Sequence, residues 1–182
     1  METESVKLAL PVSRSRDHIQ GPDTAPATLV EYGDYECPFC GQAYIIIKQV
    51  QNLLGKDLRF VFRNFPLTQV HPHAQHAAEA AESAAVQNKF WEMHDYLYEH
   101  QQALDDEHLV QYAATLGLDL SEFVRDIATH VHASHIREDF LSGIRSGVNG
   151  TPAFYINGIR YNNSWDLETL LETLRYTIKK SL

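Results

Sequence analysis

The chain contains two cysteines, Cys37 and Cys40, and only Pro38 and Phe39 lie between them. Two cysteines cannot build a multi-bridge scaffold, so the 182 residues must fold around an ordinary hydrophobic core. A chain of this length buries roughly 70% of its unfolded surface and fits one domain, with room for an insertion. Fifteen basic residues against 24 acidic ones give a net charge of −9. Such a surface repels phosphate backbones, so nucleic acid is not an expected partner. No apolar run approaches the ~18 residues of a transmembrane helix, so no membrane is expected either. Glu2 and Glu4 stand where a signal peptide would be basic. The apolar patch at Leu8 to Val12 is shorter than a secretory core of about 7–15 residues. The expected location is the cytoplasm.

The residues around the cysteines give the pair its setting. Ala27-Thr-Leu-Val-Glu-Tyr32 reads as a strand, being β-branched and aromatic. Ala43, Tyr44, Ile47, Val50 and Leu54 have helical spacing, and Pro38 has the fixed φ that suits a first helical position. The pair therefore lies where a strand ends and a helix begins. Unpaired N–H groups of a first helical turn stabilise a thiolate, which is the nucleophilic form of cysteine. Cys37 at the helix entrance suits attack on a substrate, and Cys40 inside it suits resolution of the mixed disulfide. Pro38 and the turn are expected to hold both sulfurs near the surface. A structural zinc site is the rival reading, although four ligands are wanted and no second cysteine pair exists.

The remaining elements follow from periodicity. Asp57 to Arg63 is a second strand with Leu58, Phe60 and Phe62 on one face. Helices are expected over Ala74 to Val86, Phe90 to Tyr98, Asp106 to Leu116, Asp119 to Ile127 and His132 to Ser146. Ala153 to Ile156, then Asn157-Gly158, then Ile159 to Tyr161 is a two-residue hairpin signal. Asp166 to Lys180 closes the chain as an amphipathic helix. Trp91, Tyr96 and Phe123 are read as core residues.

Taken together, the strand leading into Cys-Pro-Phe-Cys, the all-helical block and Gly150-Thr-Pro-Ala153 before a hairpin resemble the DsbA-like branch of the thioredoxin superfamily. Arg63-Asn-Phe-Pro-Leu67 with His71-Pro72, and Phe90-Trp91 with His94-Asp95, are similar to phrases of the same branch. The resemblance runs from about Gly21 to the C-terminus. It implies an α/β thioredoxin-like fold, a central mixed sheet flanked by helices, interrupted by a helical insertion. The corresponding division is an N-terminal extension over 1–20, a thioredoxin-like domain over 21–67 and 148–182, and the insertion over 68–147. The implied activity is thiol–disulfide exchange with protein substrates, with no bound cofactor and with a separate redox partner. Cys37 and Cys40 would be catalytic. Thr151 and Pro152, joined by a cis bond facing the cysteines, would form a substrate platform beside Pro38 and Phe39.

Family members often carry a buried acid six places before the first cysteine, here Glu31. Such a carboxyl would exchange protons with Cys40; the opposite reading points Glu31 outward from the strand. Asp34 and Glu36 are expected on a solvated acidic rim. Phe39 departs from the oxidising members, which place histidine there, so strong oxidising power is not implied. Two rivals use the same frame: a glutathione-transferase or isomerase, which does not need Cys40, and a non-catalytic binding module. The clusters His71, His73, His76 and His130, His132, His135 are read as surface histidines without an acidic ligand pattern, and no metal is expected.

Overall fold

The computed structural model describes residues 5–182, so Glu2 and Glu4 and the signal-peptide argument they carry lie outside the described residues. Five strands form one sheet in the order β1-β3-β2-β4-β5. They are β1 (His18–Gln20), β2 (Ala27–Gly33), β3 (Leu58–Asn64), β4 (Ala153–Ile156) and β5 (Ile159–Tyr161). β2 runs parallel to β3 and antiparallel to β4, so the sheet is mixed. Asn157 and Gly158, both at positive φ, make the tight β4–β5 turn that their sequence demands.

α1 (Pro38–Leu54) crosses from β2 to β3, and α7 (Leu167–Ser181) packs against α1 and β2. Between β3 and β4 lie α2 (Ala74–Ala85), α3 (Phe90–Glu99), α4 (Asp106–Thr115), α5 (Leu120–Thr129) and α6 (Ala133–Arg145). Asp105, Asp119 and Asp166 accept hydrogen bonds from backbone N–H groups three residues on, capping α4, α5 and α7. α2 is alanine-rich and buried along its length, which lets α3, α5 and α6 approach it closely. Phe123 is fully buried, while Trp91 and Tyr96 are partly buried against the same core.

Alternation along β2 divides the interior. Leu29 joins a large cluster with α1, α7 and the insertion, whereas Val30 and Tyr32 join a second cluster with Val61, Phe65 and Tyr155. Leu8 and Val12 pack on that second cluster, and Lys7 bridges to Ile159. The segment before Gly21, which the sequence reading leaves without an element, thus supplies an edge strand and covers one sheet face.

Arg63 anchors this segment. Its guanidinium is fully buried and donates to Asp17 through Nε and Nη2, at 2.9 and 3.0 Å. The remaining N–H groups reach the carbonyls of Leu10 and Pro11 and the hydroxyl of Tyr32. Removing one partner of a buried ion pair leaves an uncompensated charge. Asp17→Ala should therefore lower unfolding free energy by about 3–5 kcal/mol in urea titrations. Asp23→Ala, which loses an exposed contact with Arg14, should leave the midpoint nearly unchanged. Equal midpoints for the two variants would remove Asp17 from the anchor.

Candidate active site

β2 ends at Gly33, and the next four residues turn the chain into α1. Cys37 is the N-cap of α1, in extended conformation, and Pro38 occupies the first helical position. The turn is tied by Cys37 N–H to Asp34 O at 3.2 Å and by Glu36 N–H to Asp34 Oδ1 at 2.8 Å. The other Asp34 oxygen accepts from Leu67 N–H and lies 2.8 Å from His71 Nδ1. Asp34 is 1% exposed, so it is no part of a solvated rim. Its carboxylate sits inside because three polar partners satisfy it there. Only Glu36 is partly solvated; it meets His73 N–H and Nδ1.

The expectation that both sulfurs lie near the surface also needs correction. Both cysteines are free thiols, with Cys37 4% exposed and Cys40 fully buried. Pro38 and Phe39 are exposed between them, Phe39 by 60%. Cys40 is covered because the helix turns it inward, where Tyr35, Phe62 and the insertion's Tyr98 pack in the same core cluster.

Cys37 Sγ lies 3.6 Å from the carbonyl of Thr151, at the start of β4. The Thr151-Pro152 peptide bond is cis. In the thiol form Cys37 donates to that carbonyl. The neighbouring Thr151 hydroxyl is buried and has no other partner, which leaves it free to donate when the sulfur is ionised. The hydrogen bond from the Cys40 thiol acts most strongly on Cys37, and Thr151 and the N–H groups of Cys40 and Phe39 add to it. Together they hold the Cys37 pKa at about 5, against the opposing effect of burial. The Cys40 thiol is pushed well above its usual range by burial, by its bond to Cys37 and by the charge of Glu31.

Glu31 is 2% exposed and points to the α1 face of the sheet, which settles the choice between its inward and outward readings. Its register neighbours are Phe62 and Phe154, so no cation faces it across either strand pair. Burial, then the Cys37 charge, raises its pKa to about 8, and Oε1 has no hydrogen-bond partner.

One contributor from the insertion was invisible in the sequence. Gln101, in the turn after α3, donates to the carbonyls of Tyr35 at 2.8 Å and Cys37 at 2.9 Å. Gly41 makes room for it, since a Cβ there would lie 2.1 Å from Gln101 Oε1. No local pattern around Gln101 marks this role, because its partners are more than 60 residues away. Asp34 carries a usable signal, a short polar residue directly after a strand and before a turn.

A family model described as thioredoxin matches residues 13–175. Among curated relatives, the Na(+)/H(+) antiporter NhaA 1 of Salinispora arenicola is 47% identical over 165 residues, covering 91% of this chain and 25% of the relative. The protein of the same name from Mycobacterium sp. strain KMS is 43% identical over 177 residues, covering 95% and 28%. The chain spans about a quarter of the length of these relatives. Among solved structures, oxidised BdbD from Bacillus subtilis superposes with a TM-score of 0.82 at 24% identity, over 96% of this chain and 97% of that one. The thiol-disulfide exchange protein alpha-DsbA2 of Wolbachia pipientis gives 0.73 at 22% identity, over 87% and 85%. Among the described residues no helix is long and apolar enough to cross a membrane. A match across nearly the whole chain places it in the thioredoxin family, and its sheet interrupted by five helices has the fold of these solved structures.

Proposed function

We propose that the chain is a protein thiol–disulfide oxidoreductase working through Cys37 and Cys40, with no bound cofactor. The observation that carries this reading is the pair of free thiols at the head of α1, with Cys37 Sγ 3.6 Å from the Thr151 carbonyl beside the cis Pro152. The Cys37 pKa, lowered to about 5, and the raised Cys40 pKa agree with it. In the reductive direction, the Cys37 thiolate attacks one sulfur of a substrate disulfide and the other leaves as a thiolate. Glu31 takes the proton of Cys40, whose sulfur then attacks Cys37 and expels the second substrate thiolate. The substrate gains two electrons and the chain ends with a Cys37–Cys40 disulfide, which a separate redox partner reduces. In the oxidative direction every step runs backwards. A thiolate at about 5 stabilises the reduced pair near neutral pH, which favours the chain as electron acceptor despite Phe39.

Pro38, Phe39, Thr151 and Pro152 surround the reactive sulfur and are the substrate-contacting surface in this proposal. The backbone of Thr151 would pair with an extended protein chain by strand addition, which reads little sequence. The glutathione-transferase reading gives Cys40 no task, and the binding-module reading leaves the ionisation of Cys37 without use. The cytoplasmic setting read from the N-terminal composition belongs to the same proposal, and so does any role beside the longer relatives' other segments.

Two outcomes test this. In the reduced protein, alkylation by iodoacetamide should modify Cys37 first, with a rate that rises through a midpoint near pH 5. Cys40→Ser should accumulate mixed disulfides with substrate proteins. Preferential labelling of Cys40, or a midpoint near pH 9, would overturn the division of labour.

Glu31 gives a pH-dependent outcome. Its folded pKa exceeds the unfolded value of 4.5, so its contribution to stability is fully present below about pH 4.5. That contribution is lost as pH rises through about 8. Glu31→Gln should match wild type at pH 4.5 and exceed it near neutrality by up to about 3 kcal/mol. Measured on the disulfide form, where no thiolate adds to the shift, the gain should be smaller but of the same sign. The same variant should slow resolution by Cys40 while sparing attack by Cys37. Identical pH–stability curves for the two proteins would take Glu31 out of the buried role.

A further inference from the structure

Every histidine of the two sequence clusters meets a carboxylate, contrary to the expectation that no acidic ligand pattern accompanies them. His71 lies on Asp34, His73 on Glu36, His76 on Asp106, His130 on Glu79 and His132 on Asp126. His135 differs, because its Nε2 is buried and has no hydrogen-bond partner. It faces Glu82 Oε1 at 3.7 Å and Asp139 Oδ2 at 3.8 Å. On the other side of Glu82, His18 Nε2 lies 3.0 and 2.9 Å from its two carboxylate oxygens. Donor atoms of His18, Glu82 and His135 all fall within 4.8 Å of one another.

We propose that His18, Glu82 and His135 bind a divalent cation of the zinc class at the seam between β1 and the helical insertion. Two imidazoles and one carboxylate are the ligand types that zinc takes, at bond lengths of about 2.0–2.2 Å. A tetrahedron with such bonds has ligand–ligand edges of about 3.3–3.6 Å. The separations from Glu82 Oε1 to the two imidazole nitrogens, 3.0 and 3.7 Å, bracket that length, and the two nitrogens lie within 4.8 Å of each other.

The surroundings hold the donors in place. The His18 ring stacks on Phe90 with centroids 3.5 Å apart. Asn64 Nδ2 donates to Glu82 Oε1 at 2.9 Å and to Asp139 Oδ2 at 3.2 Å, and Asn64 N–H also donates to Asp139 Oδ2. Arg16 takes the opposite oxygen, Asp139 Oδ1, at 3.0 Å. Asn64, through its bond to Glu82 Oε1, is the outer partner of a ligand, while Asp139, with Oδ2 already accepting two hydrogen bonds, lies beside the site and leaves the fourth position to solvent. Such outer partners orient ligands and raise affinity. The carboxylates of Glu82 and Asp139 are almost fully buried, so a cation between them offsets charge that the interior disfavours. His18 and His135 keep about a fifth and a quarter of their side-chain surface exposed, which gives an entry path. Binding needs both Nε2 lone pairs, so His18 must carry its ring proton on Nδ1 in the bound state.

The test is zinc titration of the chelator-stripped, untagged, oxidised protein, in which the Cys37–Cys40 disulfide cannot ligate. Calorimetry should show one Zn2+ per chain and a raised Tm. His135→Gln, at a partly exposed position, should fold and weaken binding by more than the ~10–100-fold that loss of an outer partner costs. Asn64→Ser should weaken it by about that factor, whereas His76→Ala, in the separate cluster with Glu79 and His130, should leave it unchanged. Absence of saturable binding, full retention in His135→Gln, or loss in His76→Ala would overturn the site. Replacing zinc by Co2+ should give the visible absorption bands of a four-coordinate ion in wild type and not in His135→Gln.

Discussion

The double pairing of β2 is the constraint from which the rest of the site follows. Parallel to β3 on one edge and antiparallel to β4 on the other, β2 has no freedom to slide. A one-residue slip would turn Leu29 and Glu31 to the face now held by Val30 and Tyr32. The same pairing brings the end of β2 beside the start of β4, where Ala153 registers with Tyr32. Thr151 is two residues before that point and Cys37 five residues after Tyr32, so both arrive at the same end of the sheet. Asp34 then fixes the intervening turn. Each hydrogen bond to its charged carboxylate contributes roughly 1.5–3 kcal/mol, enough to hold the cysteine turn against local opening.

The fixed turn explains why two equal thiols diverge. Cys37 faces donors on every side, including the Cys40 thiol, the first N–H groups of α1 and the Thr151 hydroxyl. Cys40, one turn inside, faces apolar side chains and a carboxyl. Ionising Cys37 is favoured by the same bond that disfavours ionising Cys40, since one S–H serves as the donor. Glu31 belongs to this balance. A carboxyl at about 8 is neutral while Cys37 is a thiolate at pH 7, so the buried space holds one negative charge rather than two. Once Cys37 is consumed in a mixed disulfide, its charge vanishes and Glu31 ionises more readily, and the carboxylate so formed can take the proton of Cys40. Phe39 offers the sulfur no side-chain donor, and the donors that act on Cys37 are the Cys40 thiol first, then Thr151 and the backbone N–H groups of Cys40 and Phe39.

What the sequence made legible was local. The Asn157-Gly158 turn, Pro38 at the head of α1 and the aspartate caps of α4, α5 and α7 depend on φ preferences and on contacts within four residues. What it hid was long-range. β1 is three residues long and alternates no recognisable pattern, and it exists because β3 offers it an edge. Asp34 looked like surface because charge usually is surface, yet its partners Leu67 and His71 come from beyond β3. Glu82 and Asp139 sit inside predicted helices, and nothing near them in sequence says that His18 lies against one of them. The histidine clusters counted by spacing dissolve for the same reason, as helix packing, not adjacency, chooses their acids.

The insertion is therefore more than a lid of separate origin laid over the frame. It meets β2 and α1 at positions where a side chain is missing. At Gly33 a Cβ would stand 2.5 Å from Phe62 and 2.9 Å from the Tyr98 hydroxyl of α3. At Gly41 it would strike Gln101. These two glycines are needed for close approach and not for unusual φ, since neither has a positive φ among the described residues. Closing that approach buries Cys40 under aromatic side chains and places Gln101 on the carbonyl of Cys37. Burial raises Cys40 and Glu31, while the backbone geometry that Gln101 braces is the one that presents N–H groups to Cys37. The electrostatic contrast between the two sulfurs thus depends on the insertion being seated, and a change that loosened it would bring the two thiols back toward each other in acidity.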